Sequence, residues 1–166
     1  MSRSGESAHL GELRDFEVVH LDGEQGMRLV QTGLRVGRTL PAHCTALGKV
    51  LLACAQREQR ERFDREVVGS GLEPRTPRTL VDRDKLLEHL HGVAAQGYAV
   101  DLEECEPGLC CAAAPVYEAS GRLVAALSIS GPAFRLPEAA LERSVVPAVQ
   151  AAALRLSRQL GYASPA

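Results

Sequence analysis

Hydrophobic positions along this chain change period several times. Ser7 to Leu13 and Phe16 to Leu21 are short and rich in apolar residues, and they predict two strands joined by a turn near Arg14-Asp15. Met27 to Gln31 predicts a third strand after the turn signal Asp22-Gly23, with Arg35 to Leu40 continuing the sheet. The pattern then becomes helical: Thr45 is a suitable N-cap, and Leu47, Val50, Leu51 and Cys54 follow at helical spacing. The charged stretch Arg57 to Glu66 reads as a second, solvated helix, and Gly69 to Pro77 as a loop. Asp82 caps a third helix, Arg83 to Gln96, whose stripe is Leu86, Leu90 and Val93 and whose stop is Gly97.

Tyr98 to Asp101 reads as a strand, and the acidic Leu102 to Gly108 as a loop. Leu109 to Tyr117 is the longest apolar run and predicts a buried strand; Cys110 to Tyr117 pairs with Leu123 to Ser130 as a hairpin around Ala119-Ser120-Gly121. A last helix opens at Leu136-Pro137 and runs toward Leu160-Gly161, with a kink at Pro147. Strands and helices do not alternate regularly. The expected fold is therefore α+β with a mainly antiparallel sheet, not a doubly wound parallel one. Met1 to Glu6 is polar and is expected to be frayed, leaving one domain over residues 7–162.

Composition narrows the function. At 166 residues and 45% hydrophobic the chain can bury one core, but with 4% aromatics it must build that core from Leu, Val and Ala. A formal net charge of −2 without a Lys/Arg cluster argues against direct nucleic-acid binding by these residues. Five cysteines, an odd number, with no secretory signal argue against a disulfide framework and for a cytoplasmic protein. No apolar run approaches the length of a membrane span, about 18 residues.

Catalytic and metal signatures are weak, and we expect neither an enzyme, nor a cofactor, nor a metal site. There is no Gly-x-Ser-x-Gly elbow and no His-Glu-x-x-His pair. Cys110 and Cys111 are adjacent on a strand and face opposite ways, so they do not ligate one ion. His43 reads as a residue before a helix, bonded to backbone, and His89 and His91 as part of a solvated helix surface. An enzymatic alternative would use Cys111 as nucleophile with His43 as its base.

Three features suggest a ligand pocket. Alternation along Ala125 to Ser130 places Leu127 and Ile129 on one face and Ala126, Ser128 and Ser130 on the other. Two hydroxyls on a face of small residues suit either a ligand or ordinary solvent. The amides of Ala46 and Leu47, at the start of the Thr45 helix, lack intrahelical partners and suit a carboxylate. Asp101, at a strand end, suits a ligand hydroxyl or a loop cap.

An ordered set of segments then carries a resemblance. The set comprises Leu40-Pro-Ala-His-Cys-Thr-Ala-Leu-Gly-Lys-Val-Leu-Leu-Ala53, Arg78-Thr-Leu-Val-Asp82, Gln96-Gly-Tyr-Ala-Val-Asp101, Glu104-x-x-x-Gly108, Cys111-Ala-Ala-Ala-Pro-Val116 and Gly121-Arg-Leu-Val-Ala-Ala-Leu-Ser-Ile-Ser-Gly-Pro132. It resembles the effector-binding domain of the isocitrate-lyase-regulator (IclR) family of bacterial transcription regulators, over Ser7 to Gly161. The resemblance implies a GAF-like fold with a ligand held over one sheet face. In relatives that sense small oxo-acids such as glyoxylate or pyruvate, the ligand meets two backbone amides, an Asp, a Cys and two Ser. These fall here on Ala46, Leu47, Asp101, Cys111, Ser128 and Ser130.

Such relatives tend to have Gly-Ala where this chain has Ala46-Leu47, so a smaller cavity or a shifted ligand is expected. Other members sense aromatic acids. The resemblance also implies a homodimer or homotetramer, and DNA contact only through a winged helix-turn-helix expected to be absent from this chain. The expected function is sensing of a small carboxylate-bearing metabolite (an oxo-acid or aromatic acid), transmitted through oligomer arrangement. The alternative is an oligomerisation module with a vestigial pocket.

Overall fold

The computed structural model describes residues 5–163. Its six strands are β1 Ser7–Arg14, β2 Glu17–Glu24, β3 Thr39–Pro41, β4 Ala99–Leu102, β5 Leu109–Tyr117 and β6 Leu123–Pro132. They form one antiparallel sheet in the order β3-β2-β1-β6-β5-β4. The helices are α1 Ala46–Ala53, α2 Arg57–Phe63, α3 Arg83–Gln96, the short α4 Glu138–Ala140 and α5 Val146–Gln159. The α+β antiparallel architecture expected above is the one observed.

The central strands are covered on both faces. α1, with α3 and Phe63 behind it, packs on the side carrying Ala99, Ala113 and Ala126. α5 packs on the other, against Ala112, Ala114, Val116 and Ile129. Alternation along β5 and β6 therefore sorts two apolar layers instead of a core face and a wet face. Cys110 and Cys111 fall in different layers, as adjacent strand residues must. On the α1 side the residues are small because the helix lies close. A Cβ added at Gly11 of β1 would stand 2.9 Å from Val18 and 3.3 Å from Leu47 Cδ1.

Local chemistry sets the element ends. Thr45 Oγ1 accepts from Gly48 N–H at 3.1 Å and caps α1. Asp82 Oδ1 accepts from Lys85 N–H at 3.0 Å and caps α3, which ends at Gly97 with φ 74°. Pro147 has no N–H to give the carbonyl four residues back, and a π-turn, Leu141–Val145, precedes α5 where a kink was expected.

Three expectations need correction. Met27 to Gln31 is not a strand: β3 takes the place beside β2 instead, pairing Thr39 with Val19, and only Thr39–Pro41 of the 35–40 stretch joins the sheet. Residues 25–38 form a loop tied down by other bonds, among them Ser7 Oγ to Thr32 O at 2.8 Å and Arg135 Nη2 to Val30 O at 2.6 Å. Phe16 is not in a strand. It sits at φ 64° after Asp15 at φ 45°, the twisted two-residue turn a hairpin favours, and its ring meets Phe63 at 5.6 Å. The expected frayed start lies outside the described residues for 1–4, whereas Glu6 is buried and pairs with Arg135 through two 2.8 Å bonds.

Candidate functional site

Sheet register assembles the site. β4 pairs Asp101 with Cys111, β5 pairs Cys111 with Ser130, and β6 pairs Ser130 with Ser7. The neighbouring row runs Ala99, Ala113, Ser128, His9 and Gly23. Side chains directly opposite across strands share a face. Asp101, Cys111, Ser130 and Ser128 therefore come together from three strands, facing the start of α1. A small cavity of about 30 Å³ lies between them, partly open to solvent. Ala46, Leu47, Asp101, Cys111, Ser128 and Ser130 all line it.

The N-terminus of α1 is shaped by its cap. Lys49 N–H makes the first i to i−4 bond, to Thr45 O at 2.9 Å, and Gly48 N–H goes to the Thr45 hydroxyl. Ala46 and Leu47 are thus the two amides left at the helix start. Gly48 is required by the same geometry. A Cβ there would stand 2.2 Å from Ala42 O and 2.3 Å from Ala42 Cα, because the turn Ala42–Cys44 folds against the helix. The Leu47 side chain is buried against β1 at Gly11.

The two serines differ. Ser130 Oγ is hydrogen-bonded to His9 Nε2 at 3.1 Å and to Thr32 Oγ1 at 2.8 Å. Ser128 is 3% exposed, lines the cavity, and has no hydrogen-bond partner for its hydroxyl among the described residues. That hydroxyl is left to bond whatever occupies the cavity, water included. The face carrying both is not solvent-facing.

Asp101 is a loop cap and also a residue of the cavity wall. Its Oδ1 accepts from Glu104 N–H at 2.7 Å and Cys105 N–H at 3.4 Å, capping the β4–β5 loop, while the residue also lines the cavity. Burial pushes its carboxyl up to about 7, and the neighbouring Glu104 adds to this; Lys49 and the two amides pull the other way. Lys49, the lysine of the Gly-Lys pair, is fully buried and its Nζ lies 2.5 Å from Glu104 Oε1. Its ion pair underlies the loop that Asp101 caps.

Several lining residues escaped the sequence reading: His9, His20, Arg35 and Cys105. The histidines sit on β1 and β2 with rings edge to face at 5.7 Å. Burial, helped by His20 and Arg35, drops His9 to about 4, and burial also lowers His20. No motif marks them. Only the pairing of His9 with Ser128 in register does, and that is not visible without the β1–β6 pairing.

The nucleophile reading of Cys111 loses its basis. Burial, with Asp101 nearby, holds its thiol well above the ordinary range, and His43 is turned to Glu73 O, which its Nε2 meets at 3.1 Å. The buried Cys44 thiol donates to Pro41 O at 3.7 Å, and Cys105 beside it together with burial holds it above the ordinary range. His89 departs from the solvated surface expected for it: it is half-buried, its Nε2 has no partner among the described residues, and burial with Lys49 lowers it to about 4. No group of three or more His, Cys, Asp or Glu among the described residues is arranged to hold a metal ion. No described helix is long and apolar enough to cross a membrane.

Comparison with known proteins places the chain in a family. The chain is 38% identical to the HTH-type transcriptional regulator XynR of Escherichia coli (strain K12) over 160 residues, which are 96% of this chain and 62% of that protein. It spans about three-fifths of that relative's length. The crystal structure of the Thermotoga maritima IclR superposes with a TM-score of 0.88 at 33% identity, covering 98% of this chain and 64% of that one. The inducer-binding domain of the PobR transcription factor from Acinetobacter, a double mutant in complex with 3-hydroxybenzoic acid, superposes with a TM-score of 0.82 at 31% identity, covering 93% and 89%. A family described as "Bacterial transcriptional regulator IclR C-terminal" matches residues 1–158, and the chain belongs to that family.

Proposed function

We propose that this domain is a non-catalytic sensor that binds a small carboxylate-bearing metabolite in the cavity beneath the α1 N-terminus. The observation that carries this is the Ser128 hydroxyl, which lines the cavity with no protein partner among the described residues, on a wall shared with two helix-start amides. The amides of Ala46 and Leu47 receive the carboxylate, Ser128 and Ser130 a neighbouring oxygen, and Asp101 a hydroxyl or carbonyl hydrate at the far end. Cys111 lines the wall as a thiol. At about 30 Å³ the hollow has to widen to admit an oxo-acid or a single-ring aromatic acid; the PobR domain bound to 3-hydroxybenzoic acid supports the latter class.

Binding would alter the pairing of sensor domains in a homodimer or homotetramer, and so the spacing of attached DNA-binding domains. Such a regulator works in the cytoplasm. Calorimetric titration with pyruvate, glyoxylate and 3-hydroxybenzoate tests the site. Heat from at least one acid, lost in Ser128→Ala, is the expected result; no heat from any of them defeats the proposal.

A second reading, an assembly module with a vestigial pocket, is favoured by one observation. Met27, Leu29 and Val30 of the β2–β3 loop and Phe134 after β6 are large apolar side chains exposed to solvent. A tight oligomer in native mass spectrometry, with no acid shifting its melting, selects that reading over the first.

A further inference from the structure

One lining residue carries a fixed positive charge that the proposed site leaves unused. Arg35 belongs to the β2–β3 loop, is 23% exposed on its side chain, and lines the cavity. Its Nη2 donates to Glu106 Oε2 at 2.6 Å, and Glu106, in the β4–β5 loop, is 55% exposed. The pair joins two loops beside the cavity. The loop that carries Arg35 is anchored to the cavity wall three residues earlier, where Thr32 Oγ1 meets Ser130 Oγ at 2.8 Å.

The charge balance singles this residue out. Of the other cations nearby, Lys49 is committed to Glu104, and Arg75 donates its Nε to Cys105 O at 3.3 Å and does not line the cavity. His9 and His20 are held neutral by burial, and the Arg35 charge adds to that in both. The same charge also acts on Cys105 and Cys111, so its field covers the cavity wall. An anion entering here passes close to Asp101, and two amide dipoles do not balance a full charge taken out of water. A guanidinium fork suits a carboxylate. The Glu106 pair it would give up is half-exposed, and such pairs contribute little.

We propose that Arg35 determines specificity for acids at this site by exchanging the Glu106 carboxylate for the effector's own. The proposal rests on the carboxylate reading above and adds to it the source of charge selectivity. It also makes Glu106 a built-in competitor, released together with its loop when the acid binds.

The test is calorimetric titration of the chain and two variants, Arg35→Gln and Glu106→Gln, with pyruvate and 3-hydroxybenzoate and with their uncharged primary amides. Arg35→Gln is expected to weaken binding of the acids at least tenfold and to leave the amides unchanged, and Glu106→Gln to tighten the acids a few-fold. Circular dichroism checks that each variant is folded, and Arg35→Lys, which keeps the charge without the fork, is expected to recover part of the affinity. Equal affinity of Arg35→Gln and the natural chain for an acid overturns the role of Arg35 while leaving the sensor reading intact. Unchanged or weaker acid binding by Glu106→Gln overturns the exchange. If neither acid binds the natural chain, the sensor reading fails and this inference falls with it.

Discussion

Replacing Lys49 by Met removes the cation of a buried ion pair while keeping an unbranched stem of similar length. Lys49 is 0% exposed and Glu104 7% exposed, so water does not take over the lost contact. Glu104 Oε2 already lacks a hydrogen-bond partner among the described residues, and Asp101 lies close enough to repel it. Removing one partner of a buried pair typically costs about 3–5 kcal/mol, because the remaining charge is stranded. For a chain of this length each kcal/mol moves Tm by roughly 2–4 °C, so Lys49→Met is expected to lower Tm by about 10 °C. Glu104→Gln strands the lysine instead and costs less, since Asp101 remains as a carboxylate neighbour for it. The double variant leaves no stranded charge on either residue. It is expected to be more stable than the sum of the single losses by about 2 kcal/mol or more. Thermal unfolding and urea unfolding, both followed by far-UV circular dichroism, measure Tm and stability for all four proteins. Additive losses would refute the reasoning, because they would mean that the two side chains do not depend on each other.

Further expectations follow from single contacts. Gly48→Ala drives a Cβ into the Ala42 backbone and should destabilise by more than about 3 kcal/mol in the same urea assay. Thr45→Ala loses the α1 cap for about 1 kcal/mol, and Thr45→Ser should restore most of it. His9 has a folded-state pKa of about 4 against 6.5 for an unperturbed histidine. The unfolded chain therefore takes up the proton first, and stability present at pH 7 is lost as pH falls from about 6.5 to 4, by up to about 1.4 kcal/mol per pH unit. His9→Gln should lessen that loss between pH 6.5 and 5; an unchanged profile would mean that His9 is not held neutral. Asp101, raised to about 7, runs the other way for binding: an acid bound beside it favours its protonated form, so pyruvate or 3-hydroxybenzoate should bind more tightly at pH 6 than at pH 8. Titration at both values checks this, and Asp101→Asn should flatten the dependence.

The residues by themselves determined the helices with strong caps and clear stripes. Asp82 and Gly97 bracket α3 over Arg83–Gln96, and Thr45 opens α1, because capping and 3.6-residue periodicity act over a few neighbouring residues. The β5–β6 hairpin was legible for the same reason. The six residues to which the family resemblance assigned ligand contacts line one cavity, although periodicity alone left Ser128 and Ser130 undecided between solvent and pocket. Tertiary structure decided that choice by laying α1 over their face. It also decided that residues 27–31 make no strand, since a strand exists only where a partner edge is free and β3 had taken it. The partnership of Lys49 with Glu104, 55 residues apart, and the placement of His9, His20 and Arg35 on the cavity wall had no sequence signal. Local pattern encodes which face a side chain takes, whereas register between distant strands and the seating of a helix decide which side chains meet there.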